Sequence, residues 1–284
     1  MNKYFIGAVV GVAAFSLAAC GDSATPIEGT TEKSDLALEE VFNKAMERQE
    51  SLHSVKANII MEQGIVMTVD GEEVQMTSST NIVMSATVKP MAFFVDGTMS
   101  MTMAGEEESF DMPLNMYLTE ADGFYMNDTM SGGWIKLPDE MYDELLAQVG
   151  ANADTKEQLQ QLKPFLKDFK FEQKNEEYIL TLYANGEKFN DMILKQVAGS
   201  MSQQLDGEAL LNGMEVKDAK YVITIDKQTF DTRKMNMDFV MKFDVEGMSA
   251  EVNTLSTITY SNFNNVDTII IPQDVLDTAI DSDF

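Results

Sequence analysis

The feature that most constrains this chain is a strict alternation of apolar and polar residues, which residues 98–103 (TMSMTM) show best. Every second residue is methionine, and the residues between are small and hydroxylated. Successive side chains of a β-strand point to opposite faces, so a period of two produces one apolar face and one polar face. Similar segments precede and follow this one, often with methionine again. The sequence therefore predicts a large curved sheet with one adaptable apolar face.

The alternation continues through several predicted hairpins. Residues 55–69 carry apolar side chains at odd positions, interrupted at Gln63, and residues 74–88 carry them at even positions. An Asp-Gly pair lies between the two runs, which is typical of a tight β-hairpin. Residues 235–260 repeat the pattern, with a slip near Leu255 that indicates a β-bulge. The apolar residues 269–271 are predicted to end the sheet.

Segments with helical spacing lie before and between the groups of strands. A first helix is predicted within residues 34–54, with Ser34 as its N-cap. Further helices are predicted over residues 139–149, 154–169 and 187–205. The order of helix, meander, helices and meander indicates an α+β fold built on an antiparallel sheet.

The N-terminus has the pattern of an export signal. Lys3 precedes an apolar run over residues 5–19, which ends in LAAC at Cys20. This end resembles the lipobox of bacterial lipoproteins, which implies cleavage before Cys20 and acylation of its thiol and amino group, including by palmitate. An ordinary secretion signal or a short membrane helix is the alternative, although the run is short for a membrane span.

This interpretation divides the chain into three parts. Residues 1–19 are expected to be a signal peptide, residues 20–33 a lipidated flexible tether, and residues 34–284 a single domain. The protein would then lie on the extracytoplasmic face of the bacterial membrane, held there by the lipid on Cys20. We expect a monomer.

The charge and the scarcity of reactive residues exclude several functions. The formal net charge is −27, which argues against binding to nucleic acid or to an anionic membrane surface. His53 is the only histidine and Cys20, the expected lipid anchor, is the only cysteine, and the chain has neither GxSxG nor a glycine-rich phosphate loop, so the usual materials of a catalytic or histidine metal site are lacking. The acidic clusters do not have the spacing of a calcium loop. We therefore expect no enzyme, no metal and no cofactor apart from the acyl modification of Cys20.

Several features together resemble a known family. They are the lipobox, the long meander with helices, and the segments 162–165 (LKPF), 225–230 (IDKQTF) and 271–272 (IP). The chain is similar to a family of Gram-positive surface lipoproteins related to the LolA and LppX/LprG group of lipoprotein carriers. The resemblance implies an open half-barrel with helices packed across its concave face, whose hollow holds acyl chains. This sequence lacks the positive rim that a phospholipid headgroup would need, since 20 basic residues are spread among 47 acidic ones.

Methionine content favours a binding function for the apolar face. The chain has 22 methionines, and this flexible, polarisable side chain suits surfaces that accept variable apolar shapes. The alternatives are that the methionines fill an ordinary core, or that the protein is a non-catalytic envelope accessory that acts through protein contacts without a ligand. The candidate residues of a ligand cavity lie at alternating strand positions and on one predicted helix: Ile82, Met84, Met99, Met101, Met103, Met112, Leu114, Met116, Met192, Met235, Met237, Phe239 and Met241.

Overall fold

The computed structural model describes most of the chain. The described residues are 23–69, 71–106, 108–128, 132–138, 155–184, 189, 213–245 and 248–282. Four predictions lie outside them, namely the signal peptide 1–19, Cys20, the helix over residues 139–149 and Met192. Of the helix predicted over residues 187–205, only Phe189 is described.

The described chain consists of fourteen strands, three α-helices and one 3-10 helix. The strands are β1 Thr25–Pro26, β2 Ser54–Val69, β3 Glu72–Val88, β4 Met91–Met103, β5 Phe110–Pro113, β6 Met116–Thr119, β7 Gly123–Asp128, β8 Gly133–Lys136, β9 Phe169–Gln173, β10 Glu177–Ala184, β11 Met214–Asp226, β12 Thr232–Val245, β13 Met248–Ser261 and β14 Ile280–Asp281. The helices are α1 Leu38–Glu50, α2 Thr155–Leu162, the 3-10 helix Lys163–Asp168 and α3 Gln273–Thr278.

All fourteen described strands belong to one curved sheet. Its order is β1-β9-β10-β11-β12-β13-β2-β3-β4-β6-β7-β8-β14, with β5 also paired to β4. Every pair is antiparallel except the short outermost pairs β1–β9 and β14–β8, which are parallel. The sheet stays open, because its two outermost strands do not pair with each other. The predicted large curved antiparallel sheet, an open half-barrel with helices packed on it, is confirmed, and the protein is mostly strand with few helices.

The long central hairpin follows the predicted alternation. β2 and β3 pair without interruption from Ser54 opposite Thr87 to Val69 opposite Glu72. Gly71 in the turn has a φ of +86°, a backbone conformation that glycine adopts without steric cost. The register is therefore set by the turn and holds over the full length of both strands.

The bulge predicted near Leu255 is not found in β13, which is described over its whole length. β13 pairs in an unbroken register with both β12 and β2 through this position. Leu255 lies on the opposite face from Thr254 and is exposed. A register shift occurs instead in β11, between Val216 and Asp218, and another lies between Thr224 and Ile225.

The first helix is shorter than predicted. α1 begins at Leu38, and the Ala37 N–H donates to a Glu40 carboxylate oxygen at 3.0 Å. Ser34 does not cap it, because its hydroxyl is hydrogen-bonded to the Tyr178 hydroxyl at 2.6 Å on the sheet. At the other end of α1, Arg48 Nε lies 2.7 Å from a buried Asp231 carboxylate oxygen beside the β11–β12 turn. Both ends of the helix are thus tied to the sheet.

Two other element boundaries differ from prediction. The helix predicted over residues 154–169 ends at Leu162, a 3-10 helix follows, and Phe169 already begins β9. Pro164 lies in the first turn of that 3-10 helix, where its missing N–H leaves no bond unmade. Residues 269–271 form no strand, and the last described strand is the short β14.

The segment predicted to be a tether is bound to the sheet from Ser23 onward. β1 pairs with β9, and Ser23 forms a bridge with Ala37. The buried Gln173 amide donates to the carbonyls of Ala24 at 2.6 Å and Ser34 at 3.1 Å. The segment was predicted to be flexible because it is polar and aperiodic. It is ordered because a side chain about 140 residues later in the sequence binds it to the sheet.

Gly97 and Gly64 provide a matched test of strand packing. A Cβ on Gly97 of β4 would lie 2.7 Å from Ile82 Cα and also collide with the Asn81 carbonyl oxygen of β3. We expect Gly97→Ala to lower the free energy of unfolding by about 2 kcal/mol or more, because backbone must move. Nothing lies within 4 Å of the same position on Gly64 of β2, so Gly64→Ala should leave stability equal or slightly higher. Urea unfolding measures both, and equal losses would contradict the close β3–β4 approach.

Candidate functional site

Pairing in register places the alternating apolar residues of neighbouring strands side by side on one face of the sheet, which we call the apolar face. One row across it consists of Leu180, Ile223, Met235, Ile258, Ile59 and Ile82. The adjacent row consists of Leu182, Tyr221, Met237, Ser256, Met61, Thr80, Met99 and Met112. The next row contains Phe239, Thr254, Gln63, Ser78, Met101 and Phe110.

Helices cover the part of the apolar face formed by β9, β10 and β11. Phe42 of α1 and Leu159 of α2 are fully buried in one cluster with residues of those strands. The Phe189 ring packs edge-on against the Tyr221 ring, with centroids 5.6 Å apart. Burial raises the pKa of Tyr221 to about 12, so its phenol stays neutral at physiological pH. This part of the face is an ordinary packed core.

The part of the apolar face formed by β2, β3 and β4 has a different cover. Phe93, Val95, Leu118 and Phe124 form a buried cluster near one end of these strands, with Met84 packed against it. Among the described residues, no helix contributes to this cluster or to the one around Ala57, Met235 and Tyr260. Toward the β2–β3 turn the apolar side chains are only half-buried. The apolar face thus continues beyond the described helices.

The candidate cavity residues fall into three groups by burial. Met235 and Met241 are buried, and Met103 is 54 % exposed, although it shares the face of Met99 and Met101. The remaining described candidates are half-buried: Ile82, Met84, Met99, Met101, Met112, Leu114, Met116, Met237 and Phe239. Pairing brings Met99 opposite Met112, and Met116 opposite Val95. Met99, Met101 and Met103 thus share one face, as the alternation predicts, but Met103 at the end of β4 is exposed and the other two are half-buried.

A group of polar side chains in the middle of the apolar face escaped the sequence analysis. It consists of Gln63, Ser78, Thr80, Thr254 and Ser256, which we call the polar patch. Four of its members are buried, with exposed fractions from 3 % for Thr254 to 9 % for Ser78. The signal was present as the interruption at Gln63 and the slip near Leu255, because each marks a polar residue at an apolar-face position.

The hydrogen bonds of the polar patch are incomplete. The Gln63 amide Nε2 donates to the Thr254 hydroxyl at 3.2 Å. The Thr80 hydroxyl is buried and has no hydrogen-bond partner among the described residues. Thr80 lies between Met61 of β2 and Met99 of β4 on the same face. A buried hydroxyl without a partner is uncommon in folded proteins and costs free energy.

The apolar face carries almost no charge in its centre. On this face of β12, β13, β2, β3 and β4, the only charged residue that pairs in register is Glu72, at the turn end of β3. The neighbouring positions on the opposite face include Lys56, Asp96 and Asp238. The two faces therefore differ in charge, and the apolar face offers uncharged contacts to anything bound there.

The opposite face has a groove of its own, with a volume of about 310 Å³. Lys56, Phe94 and Tyr117 line it on the sheet side, and Asn262 and residues 265–270 line it on the other. The rings of Phe94 and Tyr117 stack with centroids 4.5 Å apart. Burial, followed by the negative charges of Asp274 and Asp96, raises the pKa of Tyr117 above its ordinary value.

The histidine, cysteine, aspartate and glutamate side chains of the described chain do not gather in groups of three or more that could hold a metal ion. Within the same ranges no helix has the length and hydropathy needed to cross a membrane.

A family model matches residues 37–280, which run from the residue before α1 to the first residue of β14 and leave out β1. The chain belongs to DUF6612, a family of unknown function. No curated protein matches the chain by sequence.

Three solved structures show weak likeness to the sheet, each at 8 % sequence identity. The translocator domain of the autotransporter NalP from Neisseria meningitidis has a TM-score of 0.23, with 77 % of this chain and 92 % of that one covered. A β-barrel-like DUF1849 protein from Brucella abortus has 0.17, with 74 % and 100 % covered. A DUF1329 protein from Desulfovibrio piger has 0.19, with 82 % and 95 % covered. All three TM-scores are far below the level that indicates a shared fold.

The polar patch gives a matched pair of stability predictions. Thr80→Val removes a buried hydroxyl that has no partner, so we expect the free energy of unfolding to rise by about 1 kcal/mol. Thr254→Val removes the hydroxyl that accepts from Gln63, so we expect a loss of about 1 kcal/mol. Both residues are buried and both changes conserve shape. Urea unfolding compares them, and a loss for Thr80→Val equal to that for Thr254→Val would show that the Thr80 hydroxyl is satisfied in solution.

Proposed function

We propose that this protein is a membrane-anchored extracytoplasmic lipoprotein that binds a hydrophobic, lipid-like ligand on its apolar face, without catalysis. One observation carries this proposal. Beyond the clusters that the described helices cover, rows of half-buried methionines such as Met61, Met99 and Met101 continue across an uncharged part of the sheet.

Removal of apolar surface from water lowers the free energy and so favours binding to the apolar face. Large contiguous apolar patches on soluble proteins usually mark a binding surface. Each methylene of a ligand that is transferred from water to such a surface contributes about 0.8 kcal/mol. Methionine adjusts to different ligand shapes at low cost because its side chain is unbranched. A bound acyl chain would therefore supply the cover that the described elements leave incomplete.

The proposed relation to the LolA and LppX/LprG carriers rests on the same architecture. An open curved sheet with helices on part of its apolar face can expose a hollow without unfolding. The low charge of the apolar face favours uncharged ligands over phospholipids, since none of the residues that pair in register on that face of the central strands is lysine or arginine. The excess of acidic residues over the whole chain also favours uncharged ligands over anionic ones.

Anchoring through Cys20 would hold the domain close to the bilayer. The chain joins the sheet at Ser23, which pairs with Ala37, so only residues 21 and 22 separate Cys20 from the bound segment. Three residue steps span roughly 10 Å when extended. The edge of the sheet formed by β1 and β9 would then lie beside the membrane, which is a suitable place for exchange of a lipid.

The ligand-binding proposal is tested by changing Met101 and by measuring stability and binding together. If Met101 faces a hollow, Met101→Ala should cost only about 1 kcal/mol, while Met235→Ala in the packed core should cost about 2–5 kcal/mol. Met101→Trp should fold and reduce the binding of N-phenylnaphthylamine, an uncharged apolar fluorescent probe. The readouts are urea unfolding and probe titration.

The control for the tryptophan variant is Thr98→Trp. Thr98 lies in the same strand, β4, but on the opposite face, where it is exposed. We expect this variant to bind the probe as the wild type does. A large loss for Met101→Ala, a Met101→Trp protein that does not fold, and no saturable probe binding by the wild type would together overturn the proposal and favour an accessory that acts through protein contacts.

The anchoring proposal makes a separate prediction about Cys20. Cys20→Ala should prevent acylation and yield a folded protein that is secreted or retained as an uncleaved precursor, because the described strands begin only at Thr25. Fractionation and mass spectrometry of the mature wild type check this outcome. An unmodified Cys20 at the N-terminus of the membrane-bound wild type would contradict it.

A further inference from the structure

We infer that the ligand of the apolar face carries an uncharged hydrogen-bonding group, an ester or a hydroxyl, that the polar patch holds between flanking apolar contacts. This inference rests on the proposed ligand-binding function and names the chemical class of the ligand. It depends on the placement, burial and charge of Gln63, Ser78, Thr80, Thr254 and Ser256.

The register makes the polar patch one compact surface. Ser256, Met61 and Thr80 lie side by side in one row, on β13, β2 and β3. Thr254, Gln63 and Ser78 lie side by side in the adjacent row of the same strands. With strands about 4.8 Å apart and same-face residues about 7 Å apart, the polar patch covers about 10 by 7 Å. This area matches a single ester or hydroxyl-bearing group.

Packing alone does not account for these residue types. The positions lie on the face that elsewhere carries isoleucine, valine, methionine and phenylalanine, and valine would fill the place of Thr80 or Thr254 with the same shape. Gln63 and Thr254 satisfy one another, but Thr80 is 4 % exposed and its hydroxyl has no partner. An unpartnered buried donor on a proposed binding face is a ready partner for an acceptor on a ligand.

Charge restricts that acceptor to a neutral group. A carboxylate or phosphate that moved from water to the polar patch would lose its hydration and gain no cation in exchange. The only charged residue that pairs in register on this face of the central strands is the acidic Glu72. An ester carbonyl or a hydroxyl loses much less on desolvation and can accept from Thr80.

The rows on both sides of the polar patch fit the apolar parts of such a molecule. Toward one end of the strands lie Ile59 and Ile82, and toward the β2–β3 turn lie Ile65 and Met76. Met99 and Met101 flank the patch on β4. The hydrocarbon chain of the ligand can therefore extend from the polar patch in either direction along the strands.

The test compares three ligands of equal chain length, namely methyl oleate, oleyl alcohol and oleate. The mature chain with Cys20→Ser is used, so that no attached acyl chain competes. Each ligand displaces N-phenylnaphthylamine, and fluorescence gives its affinity. We expect the ester or the alcohol to bind at least about tenfold more tightly than oleate at neutral pH.

Variants of β3 separate recognition from packing. Thr80→Val should weaken binding of the preferred neutral ligand by about three- to tenfold, the effect of one neutral hydrogen bond, and leave probe affinity unchanged. Thr80→Ser keeps the hydroxyl and should retain the affinity. Thr77→Val is the matched control, since Thr77 is exposed on the opposite face of the same strand.

The outcomes distinguish this inference from the proposed function. Probe binding by the wild type with no preference for the neutral ligands over oleate would overturn the inference and leave the proposed function standing. A Thr80→Val protein that binds the neutral ligand as the wild type does, or that loses probe and ligand equally, would also overturn it. If the wild type binds neither probe nor lipid, both proposals fail.

Discussion

The register of the antiparallel pairs is the constraint on which the rest of this structure depends. Each row of the apolar face is built from residues that are far apart in sequence, such as Ile59 beside Ile258. A slip of one residue in any strand would turn its apolar side chains to water and bring charged ones inward. The helix cover, the methionine rows and the polar patch all require that every strand keep its alignment.

The two faces of the sheet divide the chemical tasks of the protein. The opposite face carries lysine and acidic side chains such as Lys242 and Glu251, which are bonded across neighbouring strands. These charges keep a strongly acidic protein in solution without entering the apolar face. Within that face, the polar patch leaves Thr80 unsatisfied. A sheet selected for stability alone would place valine there, and for this reason we propose a binding role for the hydroxyl.

Prediction from sequence succeeded where one strand contains the whole signal. The alternation in residues 98–103 indicated a strand, and the structure has β4 there. It failed where distant residues act together. The polar segment 20–33 suggested a flexible tether, yet Gln173 binds its described part to the sheet edge. The breaks in the alternation at Gln63 and Leu255 suggested local irregularities. The sequence of one strand does not show that its polar residue lies beside a polar residue of the neighbouring strand.

The sequence by itself determined the sheet, its apolar face and the uncharged, methionine-rich character of that face, because side-chain direction in a strand follows from position alone. Only the tertiary structure decided which residues meet. Pairing of β13 with β2 and of β2 with β3 joins Thr254, Gln63 and Ser78 in one row. It also decided that Met235 is buried while Met103 is exposed, because burial depends on which elements pack over a position and not on the identity of the residue.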